Sequence, residues 1–385
     1  MIPYGRQDIN QDDIDAVVQI LRSDFLTQGP TVPAFESAIA TYCGAHHAVA
    51  VNSATSALHI ACLALGVSNG DMVWTTPISF VASANCARYC GADVDFVDID
   101  PYTYNLSPDI LEKKLQAAEI KGRLPKVVIP VHFAGQPCEM DAIHELAKQY
   151  GFSIIEDASH AIGSTYLDEP VGNGRYSDIT IFSFHPVKII TTGEGGMALT
   201  NKIDLAERMM LFRNHGITRE PDQMSRPPDG PWYYEQIALG FNYRMTDIQA
   251  ALGISQAKRL DKYIMRRRYL ANRYDKLLAE LPVTLTEQYN NAQSAWHLYV
   301  VRLQLEKLTK THIQVFEELR DAGIGVNLHY IPIYAQPDFQ RFEYNYNDFP
   351  EAEAYYRTAI SLPLYPNLTE EQQDQVVLAL VKALI

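Results

Sequence analysis

One lysine of the sequence stands where its amine could do covalent chemistry. Lys188 follows the apolar segment Ile179–Ser183 and precedes a glycine-rich turn at residues 193–196. We expect a strand there, which would hold the amine at its end with little freedom. A lysine amine that is held and partly removed from water forms an imine with an aldehyde cofactor such as pyridoxal phosphate (PLP), whose ring then accepts an electron pair. A solvated lysine beside a turn would explain the same residues.

An acidic residue ends another apolar segment, at residues 153–157. The run predicts a buried parallel strand that delivers Asp157 at its carboxyl end. A carboxylate at that position can pair with a protonated pyridine nitrogen and so keep the ring an electron acceptor. Asp157 could equally be the N-cap of a helix.

Two further segments supply groups that a phosphorylated ring would need. Thr55 and Ser56 lie in a small-residue turn between a strand and an apolar helix. Their hydroxyl and N–H groups would face outward at a helix N-terminus and bind phosphate. Phe80 follows the strand predicted at residues 72–76, and an aromatic ring there can stack on a flat pyridine ring. An ordinary capping turn and a core phenylalanine would account for the same residues.

Taken together, six motifs resemble the DegT/DnrJ/EryC1/StrS family of sugar-nucleotide aminotransferases, and the resemblance covers essentially the whole chain. The motifs lie at residues 24–30, 52–59, 96–101, 156–160, 183–188 and 240–247. The family consists of PLP enzymes with the aspartate-aminotransferase-like fold (PLP fold type I). The resemblance therefore implies an α/β protein with a mainly parallel central sheet and a smaller C-terminal α+β domain.

The resemblance also implies a role for each residue that matches a family motif. Lys188 would form the Schiff base with PLP, and Asp157 would pair with the pyridine nitrogen. The other cofactor contacts that it implies are Ser183, Thr55 and Ser56 at the phosphate, Phe80 stacked on the ring, His160 beside it, and Asn242 from the neighbouring subunit of a homodimer with shared sites. The substrate side that it implies comprises Tyr4, Leu26, Thr27, Gln28, Gly29, His329, Tyr330, Ile331 and Pro332.

The substrate-side motifs are most similar to the branch that serves pseudaminic acid biosynthesis. This implies UDP-4-keto-6-deoxy-N-acetyl-L-altrosamine as the amino acceptor, L-glutamate as the donor and UDP-4-amino-4,6-dideoxy-N-acetyl-beta-L-altrosamine as the product. Sugar dehydrases of the same family carry histidine in place of the lysine, so Lys188 favours transamination. A different 4-keto or 3-keto sugar nucleotide stays an alternative, because epimers differ by one hydroxyl position.

The composition and net charge of the chain exclude some classes of binding partner. The 385-residue chain carries a formal charge of −14, which argues against a nucleic-acid partner because phosphate backbones bind basic faces. It has no apolar run long enough for a membrane helix and no signal-peptide pattern at Met1, so we expect a cytoplasmic protein without a membrane partner. Its five cysteines indicate reduced thiols. Cys86 and Cys90 could share a helix face, but further ligands are lacking, and we predict no metal site.

Apolar runs alternate with helical patterns through the first two-thirds of the chain. We predict strands at residues 48–51, 72–76, 93–97, 127–131, 153–156, 179–183 and 197–200. This alternation indicates a mainly parallel sheet covered on both faces. We predict a large PLP-binding domain at residues 1–245, including the N-terminal segment. Residues 246–385 would form a helical connection and a small α+β domain, which opens with a strand at 296–303 and ends in a helix at 370–384.

Two other protein classes would produce a similar pattern of elements. A dinucleotide-binding oxidoreductase needs a G-x-G-x-x-G fingerprint after a strand, and the segment at Gly172 and Gly174 lacks its third glycine. A non-enzymatic PLP-binding regulator would need a fused DNA-binding segment, and we expect none before Tyr4. The aminotransferase is therefore the favoured interpretation.

Overall fold

The protein is described by a computed structural model that covers all 385 residues. Its helices are α1 (Gln11–Leu21), α2 (Thr31–Cys43), α3 (Ala54–Ala64), α4 (Ala82–Tyr89), α5 (Pro108–Ile120), α6 (Met140–Tyr150), α7 (Ile203–Arg213), α8 (Asp247–Ala257), α9 (Leu260–Leu278), α10 (His312–Asp321), α11 (Pro337–Gln340), α12 (Pro350–Tyr356) and α13 (Glu370–Leu384). Its strands are β1 (Ile2–Pro3), β2 (His47–Val51), β3 (Met72–Thr75), β4 (Asp93–Phe96), β5 (Val127–Ile129), β6 (Ser153–Asp157), β7 (Thr165–Tyr166), β8 (Glu169–Pro170), β9 (Ile179–Ser183), β10 (Gly196–Thr200), β11 (Ile217–Thr218), β12 (Glu235–Gln236), β13 (Val283–Leu285), β14 (Ala292–Gln293), β15 (Tyr299–Leu303), β16 (Ile324–Gly325) and β17 (Ala359–Leu362).

A seven-stranded sheet forms the centre of the molecule, in the order β2-β10-β9-β6-β5-β3-β4. Strand β10 is antiparallel to both of its neighbours, and every other pair is parallel. The prediction of a mainly parallel sheet is therefore confirmed, and each of the seven predicted strands is present, although β5 ends two residues earlier than predicted.

Apolar cores cover both faces of this sheet, which explains why most of its strands are nearly continuous apolar runs. Successive side chains of a strand point to opposite faces. Val127 and Ile129 accordingly belong to one core together with helices α3 and α4, whereas Val128 belongs to a second core together with α5 and α6.

Helix α3 begins very close to strand β10, and a glycine makes this approach possible. A Cβ atom at Gly196 would lie 2.5 Å from the backbone of Ser53 and Ala54, closer than non-bonded atoms come. Ser53 caps the helix with an extended backbone, and its Oγ accepts the N–H of Ser56 at 3.1 Å. The first turn of α3 is thus fixed against the central sheet.

The C-terminal part has its own core around the antiparallel sheet β13-β15-β17, covered by α9, α10 and α13. The predicted helices at 246–281 and 370–384 are present. The predicted strand at 296–303 begins too early. Trp296 has a φ of 51°, and the N–H groups of Ala295 and His297 bond to the loop at Gly135 and Ala134, so ladder pairing starts only at Tyr299. The domain boundary at residue 245 stays a prediction.

The N-terminus joins this C-terminal part, because β1 pairs in parallel with β16. Tyr4 follows β1 directly, and its carbonyl oxygen accepts the N–H of Leu364 at 3.0 Å. None of the helices combines the length and the apolar character that a membrane crossing needs.

Candidate active site

The predicted catalytic residues lie at one edge of the central sheet. Strands β2, β3, β6 and β9 run in the same direction, because β10 is antiparallel to both β2 and β9. Their carboxyl ends therefore meet at one edge, which is where open α/β sheets bind ligands. Asp157 ends β6, Ser183 ends β9, and the α3 turn follows β2.

Asp157 is held by two serines. Its Oδ2 accepts the hydroxyl of Ser83 at 2.6 Å, and its Oδ1 accepts the hydroxyl and the N–H of Ser159 at 2.6 and 3.1 Å. The carboxylate is buried and lies in a strand, so the N-cap alternative is wrong. Sequence reasoning missed both serines. Ser159 lies within the motif at 156–160, but nothing in the sequence marked Ser83, which comes from α4.

Lys188 is half-buried and makes no side-chain hydrogen bond or ion pair. Burial lowers the pKa of its amine to about 8, although the negative charge of Asp157 acts in the opposite direction. A desolvated lysine without a partner carries more neutral amine near pH 7 than a solvated one, and neutral amine is the form that attacks an aldehyde. The solvated-lysine alternative does not fit this environment.

His160 lies beside these groups in a fixed tautomer. Its Nδ1 accepts the N–H of Ala134 at 3.2 Å, and its Nε2 lies 3.2 Å from the hydroxyl of Tyr330. Burial, with the positive charge of Lys188, holds the pKa of His160 well below its usual value. The imidazole is therefore neutral, with its proton on Nε2, where it donates to the oxygen of Tyr330.

Two more buried histidines surround the same site. His329 contacts Ser361 through Nδ1 at 2.8 Å, and its ring lies 5.1 Å from that of Tyr4. Burial and the charge of Lys188 lower the pKa of His329 to about 3. The ring of His297 lies 4.4 Å from that of His160, and its Nδ1 is buried without a hydrogen-bond partner. Sequence reasoning missed His297, which comes from a distant apolar segment.

Phe80 and the segment 329–332 line the same edge. The Phe80 ring is 58% exposed and lies 6.3 Å from the Tyr330 ring, so the alternative of a core phenylalanine is wrong. The N–H of Ile333 donates to the carbonyl of Pro77 at 2.9 Å and joins the two segments. Ile331 is exposed and Pro332 is buried.

The first turn of α3 offers groups for a phosphate. The N–H groups of Ala54 and Thr55 have no carbonyl partner within the helix, and the Thr55 hydroxyl makes no hydrogen bond. Ser56 differs, because its hydroxyl donates to Asn52 Oδ1 at 2.7 Å. Ser183 is buried nearby, and its Oγ is engaged only by a long 3.5 Å contact from the N–H of His185.

These groups fit PLP by their chemistry: an amine of lowered pKa, an oriented carboxylate and a phosphate-type helix N-terminus that Gly196 keeps close to the sheet. No group of three or more His, Cys, Asp or Glu side chains is arranged to hold a metal ion.

The remaining predicted residues form a second group beside the start of α8. The N–H of Gly29 donates to Asp247 Oδ2 at 2.8 Å, and Asp247 N–H donates to the carbonyl of Leu26 at 3.0 Å. Thr27 bridges to Thr246, and Gln28 has a φ of 56°. Contacts within the chain thus join residues 26–29 to α8 rather than to Lys188.

Asn242 lies in the segment that leads into α8. Its side chain is exposed and makes no hydrogen bond, while the backbone around it is fixed by Asn52 and Asn214. An open cavity of about 550 Å³ adjoins residues 28 and 29, and its charged lining residues are Arg213, Arg219, Arg244, Glu207 and Glu220.

Comparison with known proteins gives consistent matches along the whole chain. The model of the DegT/DnrJ/EryC1/StrS aminotransferase family matches residues 7–381. The UDP-4-amino-4,6-dideoxy-N-acetyl-beta-L-altrosamine transaminase of Campylobacter jejuni is 39% identical over 96% of this chain and 93% of its own length. The GDP-perosamine synthase of Caulobacter vibrioides is 37% identical over 98% of this chain and 96% of its own length.

Two solved structures are similar to this protein along its whole chain. Helicobacter pylori PseC, an aminotransferase involved in the biosynthesis of pseudoaminic acid, has a TM-score of 0.90 at 32% identity and covers 100% of this chain and 99% of its own. The PLP-form of the sugar aminotransferase Spr1654 from Streptococcus pneumoniae has a TM-score of 0.88 at 29% identity, with 100% of both chains covered.

Proposed function

We propose, from the premise that the chain belongs to the DegT/DnrJ/EryC1/StrS aminotransferase family, that it aminates UDP-4-keto-6-deoxy-N-acetyl-L-altrosamine with L-glutamate as the donor. The general activity follows from membership of the family: the chain is a PLP-dependent sugar aminotransferase of PLP fold type I. The proposal concerns the substrates, the residues and the assembly.

The observation that carries the proposed chemistry is the environment of Lys188. Its half-buried amine has no hydrogen-bond partner and a pKa lowered to about 8, and it lies within the electrostatic influence of Asp157 at the same sheet edge. When bound, PLP supplies an aldehyde that takes up the amino group and a ring that delocalises an electron pair. Lys188 is the residue that would bind it covalently.

Lys188 also moves the proton in both halves of the reaction. Once the donor has displaced it, the neutral Nζ accepts the proton from the amino-bearing carbon of glutamate. In the second half, the same Nζ returns a proton to C4 of the sugar. A pKa near 8 suits both directions, because neutral and protonated amine are then both accessible near neutral pH.

Asp157 and the neighbouring histidine have complementary roles. Asp157 would pair with the pyridinium nitrogen, and its hydrogen bonds from Ser83 and Ser159 fix the direction of its free lone pairs. His160 stays neutral and so does not compete for this carboxylate. Phe80, exposed at the edge, is available to stack on the ring, while Thr55 and Ser183 would hold the phosphate. A phosphate contact from Ser56 would require one of its bonds to Ser53 Oγ and Asn52 Oδ1 to break.

The substrate is proposed from the most specific of the comparisons. The Campylobacter transaminase is 39% identical along nearly the whole chain, and the PseC structure superposes along the whole chain. Tyr330 lies beside His160, and the Tyr4 ring lies beside that of His329. Tyr4 and residues 329–332 would therefore contact the sugar. Because the chain is acidic overall, the diphosphate needs local cations. Arg219 and Arg244 line the cavity beside residues 28 and 29 and would supply them, whereas Arg213 is paired with Glu36.

The geometry also supports a homodimer whose sites combine residues of two chains. Asn242 and the loop 26–29 lie apart from the Lys188 cluster, and the Asn242 side chain has no partner in its own chain. Residues 230–239, which precede Asn242 in the sequence, expose four large apolar side chains, namely Trp232, Tyr234, Ile237 and Leu239. Such a surface is typical of one that is covered by another protein chain. Asn242 would then bind the PLP phosphate of the partner subunit.

A second candidate substrate is supported by one observation. The GDP-perosamine synthase is 37% identical over almost the same length, so overall similarity does not separate a UDP-linked from a GDP-linked 4-keto sugar. Specificity of this kind is set by a few pocket contacts.

A comparison of kcat/KM for the two keto sugars, with L-glutamate as donor, tests the proposed substrate. We expect the UDP-linked altrosamine precursor to be aminated at C4 at least about tenfold faster than GDP-4-keto-6-deoxymannose, which corresponds to about 1.4 kcal/mol of transition-state discrimination. Lys188→Ala is the control for background reaction. A preference for the GDP-linked sugar would replace the first candidate with the second.

Mixing two inactive variants tests the shared site. Lys188→Ala and Asn242→Ala damage different parts of one composite site, so a hybrid dimer of the two would contain one intact site. We expect activity to return after subunit exchange, which mass-tagged chains can verify. Exchange without recovery would contradict the shared arrangement.

A further inference from the structure

One arginine of the C-terminal part is buried without an acidic partner. Arg267 lies on α9 and is 1% exposed, and its Nε has no hydrogen-bond partner. Burial lowers its pKa to about 10, and no carboxylate offsets this effect, so Arg267 is a cation at neutral pH. Moving an unpaired charge from water into the protein interior is costly. Packing alone therefore does not explain an arginine at this position.

The Arg267 guanidinium joins two segments of the chain through their carbonyl groups. Its Nη1 donates to the carbonyls of Trp296 and His297 at 3.2 Å each, and to the carbonyl of Leu364 at 2.9 Å. Trp296 and His297 precede strand β15, and Leu364 follows strand β17. One buried side chain thus ties α9 to both segments.

The first segment leads to His160. The N–H of His297 donates to the carbonyl of Ala134 at 2.8 Å, and the N–H of Ala134 donates to His160 Nδ1 at 3.2 Å. The rings of His297 and His160 also lie 4.4 Å apart. Arg267 polarises the peptide group between Trp296 and His297, which strengthens the bond from its N–H to Ala134. The guanidinium therefore helps to fix both the backbone and the ring that contact His160.

The second segment leads to Tyr4. Leu364 accepts a hydrogen bond from Arg267 through its carbonyl, and its N–H donates to the carbonyl of Tyr4 at 3.0 Å. The Tyr4 ring lies 5.1 Å from the ring of His329. Arg267 is thus connected, through one segment each, to two residues of the candidate active site.

We propose that Arg267 is a positioning residue of the aminotransferase, which fixes His160 and Tyr4 relative to each other by holding the two segments from within the core. It acts through these segments rather than by contact with the sugar. Arginine suits this role because it stays charged when buried, and hydrogen bonds from a charged donor are about twice as strong as those from a neutral one. The expected effect on the sugar rests on the proposed function, whereas the placement of His160 does not.

Arg267→Met tests the proposal, because it keeps an unbranched side chain but removes the charge and all three hydrogen bonds. Ring ¹⁵N spectra of the histidines in the apo protein report the tautomer of His160, whose signals are identified by their loss in His160→Gln. We expect a single tautomer with the proton on Nε2 in the wild type and a mixture of tautomers in Arg267→Met. In the PLP-loaded protein, kcat/KM for the keto sugar should fall about 10–100-fold.

Gln373→Met is the matched structural control. Gln373 is fully buried, and its Nε2 donates to the carbonyl of Leu270 on α9 at 2.7 Å, but this bond does not lead to the site. The variant should lose stability in urea titrations and keep the wild-type His160 signals and kcat/KM. Arg267→Lys keeps a cation that can donate to carbonyls, so it should restore the single tautomer and most of the activity.

A folded Arg267→Met protein with wild-type His160 signals and the kcat/KM of Gln373→Met would overturn the proposal. A changed tautomer in Arg267→Met, together with a wild-type protein that does not turn over this sugar, would support the positioning role and contradict the proposed substrate.

Amide hydrogen exchange of the wild type decides the question if Arg267→Met does not fold. The N–H groups of Ala134, His297 and Leu364 should exchange as slowly as those of strand β15. Exchange as fast as in the exposed residues 225–229 would show that the two segments are not held, and would overturn the proposal.

Discussion

The lowered pKa of Lys188 predicts how fast the apo protein captures an aldehyde at different pH values. With a pKa of about 8, about 9% of this amine is neutral at pH 7, against about 0.03% for a solvated lysine with its ordinary pKa. Burial therefore provides a roughly 300-fold larger neutral fraction. The neutral fraction of any amine rises with pH, and the lowered pKa moves the midpoint of this rise down to about pH 8.

Borohydride trapping of PLP on the apo protein measures this fraction. The initial rate of labelling at Lys188, followed by mass spectrometry of its peptide, should reach half of its maximum near pH 8. Exposed lysines in the same digest report a solvated amine, and Lys188→Ala identifies unspecific labelling. A half-maximal rate near pH 10 or above would refute the argument that burial makes Lys188 reactive.

Three further predictions test the groups that would hold the cofactor and the sugar nucleotide. Ser83→Ala removes a hydrogen bond to a buried carboxylate and should lower the free energy of unfolding of the apo protein by about 1.5–3 kcal/mol. The loss should be smaller in Ser79→Ala, which removes only the Ser79–Ser83 contact of 2.7 Å. Equal losses in urea titrations would contradict this. Gly196→Ala forces a Cβ against the start of α3 and should weaken PLP binding at least about tenfold, measured by fluorescence titration. In Gly5→Ala the added Cβ meets only Val187 Cβ, at an ordinary contact distance of 3.8 Å, and PLP should bind normally. Arg219→Gln removes a cation without an ion pair and should raise KM for the sugar nucleotide while leaving KM for glutamate unchanged.

Most strands of the central sheet were predictable because they are short apolar runs covered on both faces; the edge strand β4, which carries Asp93 and Asp95, is the exception. Val127–Ile129 and Ile179–Ser183 are buried at every position, so their composition carries the signal. The direction of β10 was not predictable, since a strand has the same period in parallel and antiparallel pairing. The start of β15 was predicted wrongly because Trp296 adopts a left-handed conformation that tertiary contacts impose.

The positions of Asp157 and Lys188 were predictable because a charged residue at the end of a buried apolar strand, or five residues after it, is unusual. It was not predictable where common residues act from distant segments. Ser83 reaches Asp157 across 74 positions of the chain, and His297 reaches His160 from the C-terminal part. Neither residue has a local pattern, because the sheet and not the sequence spacing brings these groups together.

The spectrum of the PLP-loaded protein tests the central claim most directly. We predict that L-glutamate removes the absorbance band of the lysine-bound cofactor and that UDP-4-keto-6-deoxy-N-acetyl-L-altrosamine restores it, with one amino group transferred to C4 for each band restored. Lys188→Ala should show neither change. A wild-type band that glutamate leaves untouched, in protein shown to contain PLP, would contradict amino transfer from glutamate through Lys188.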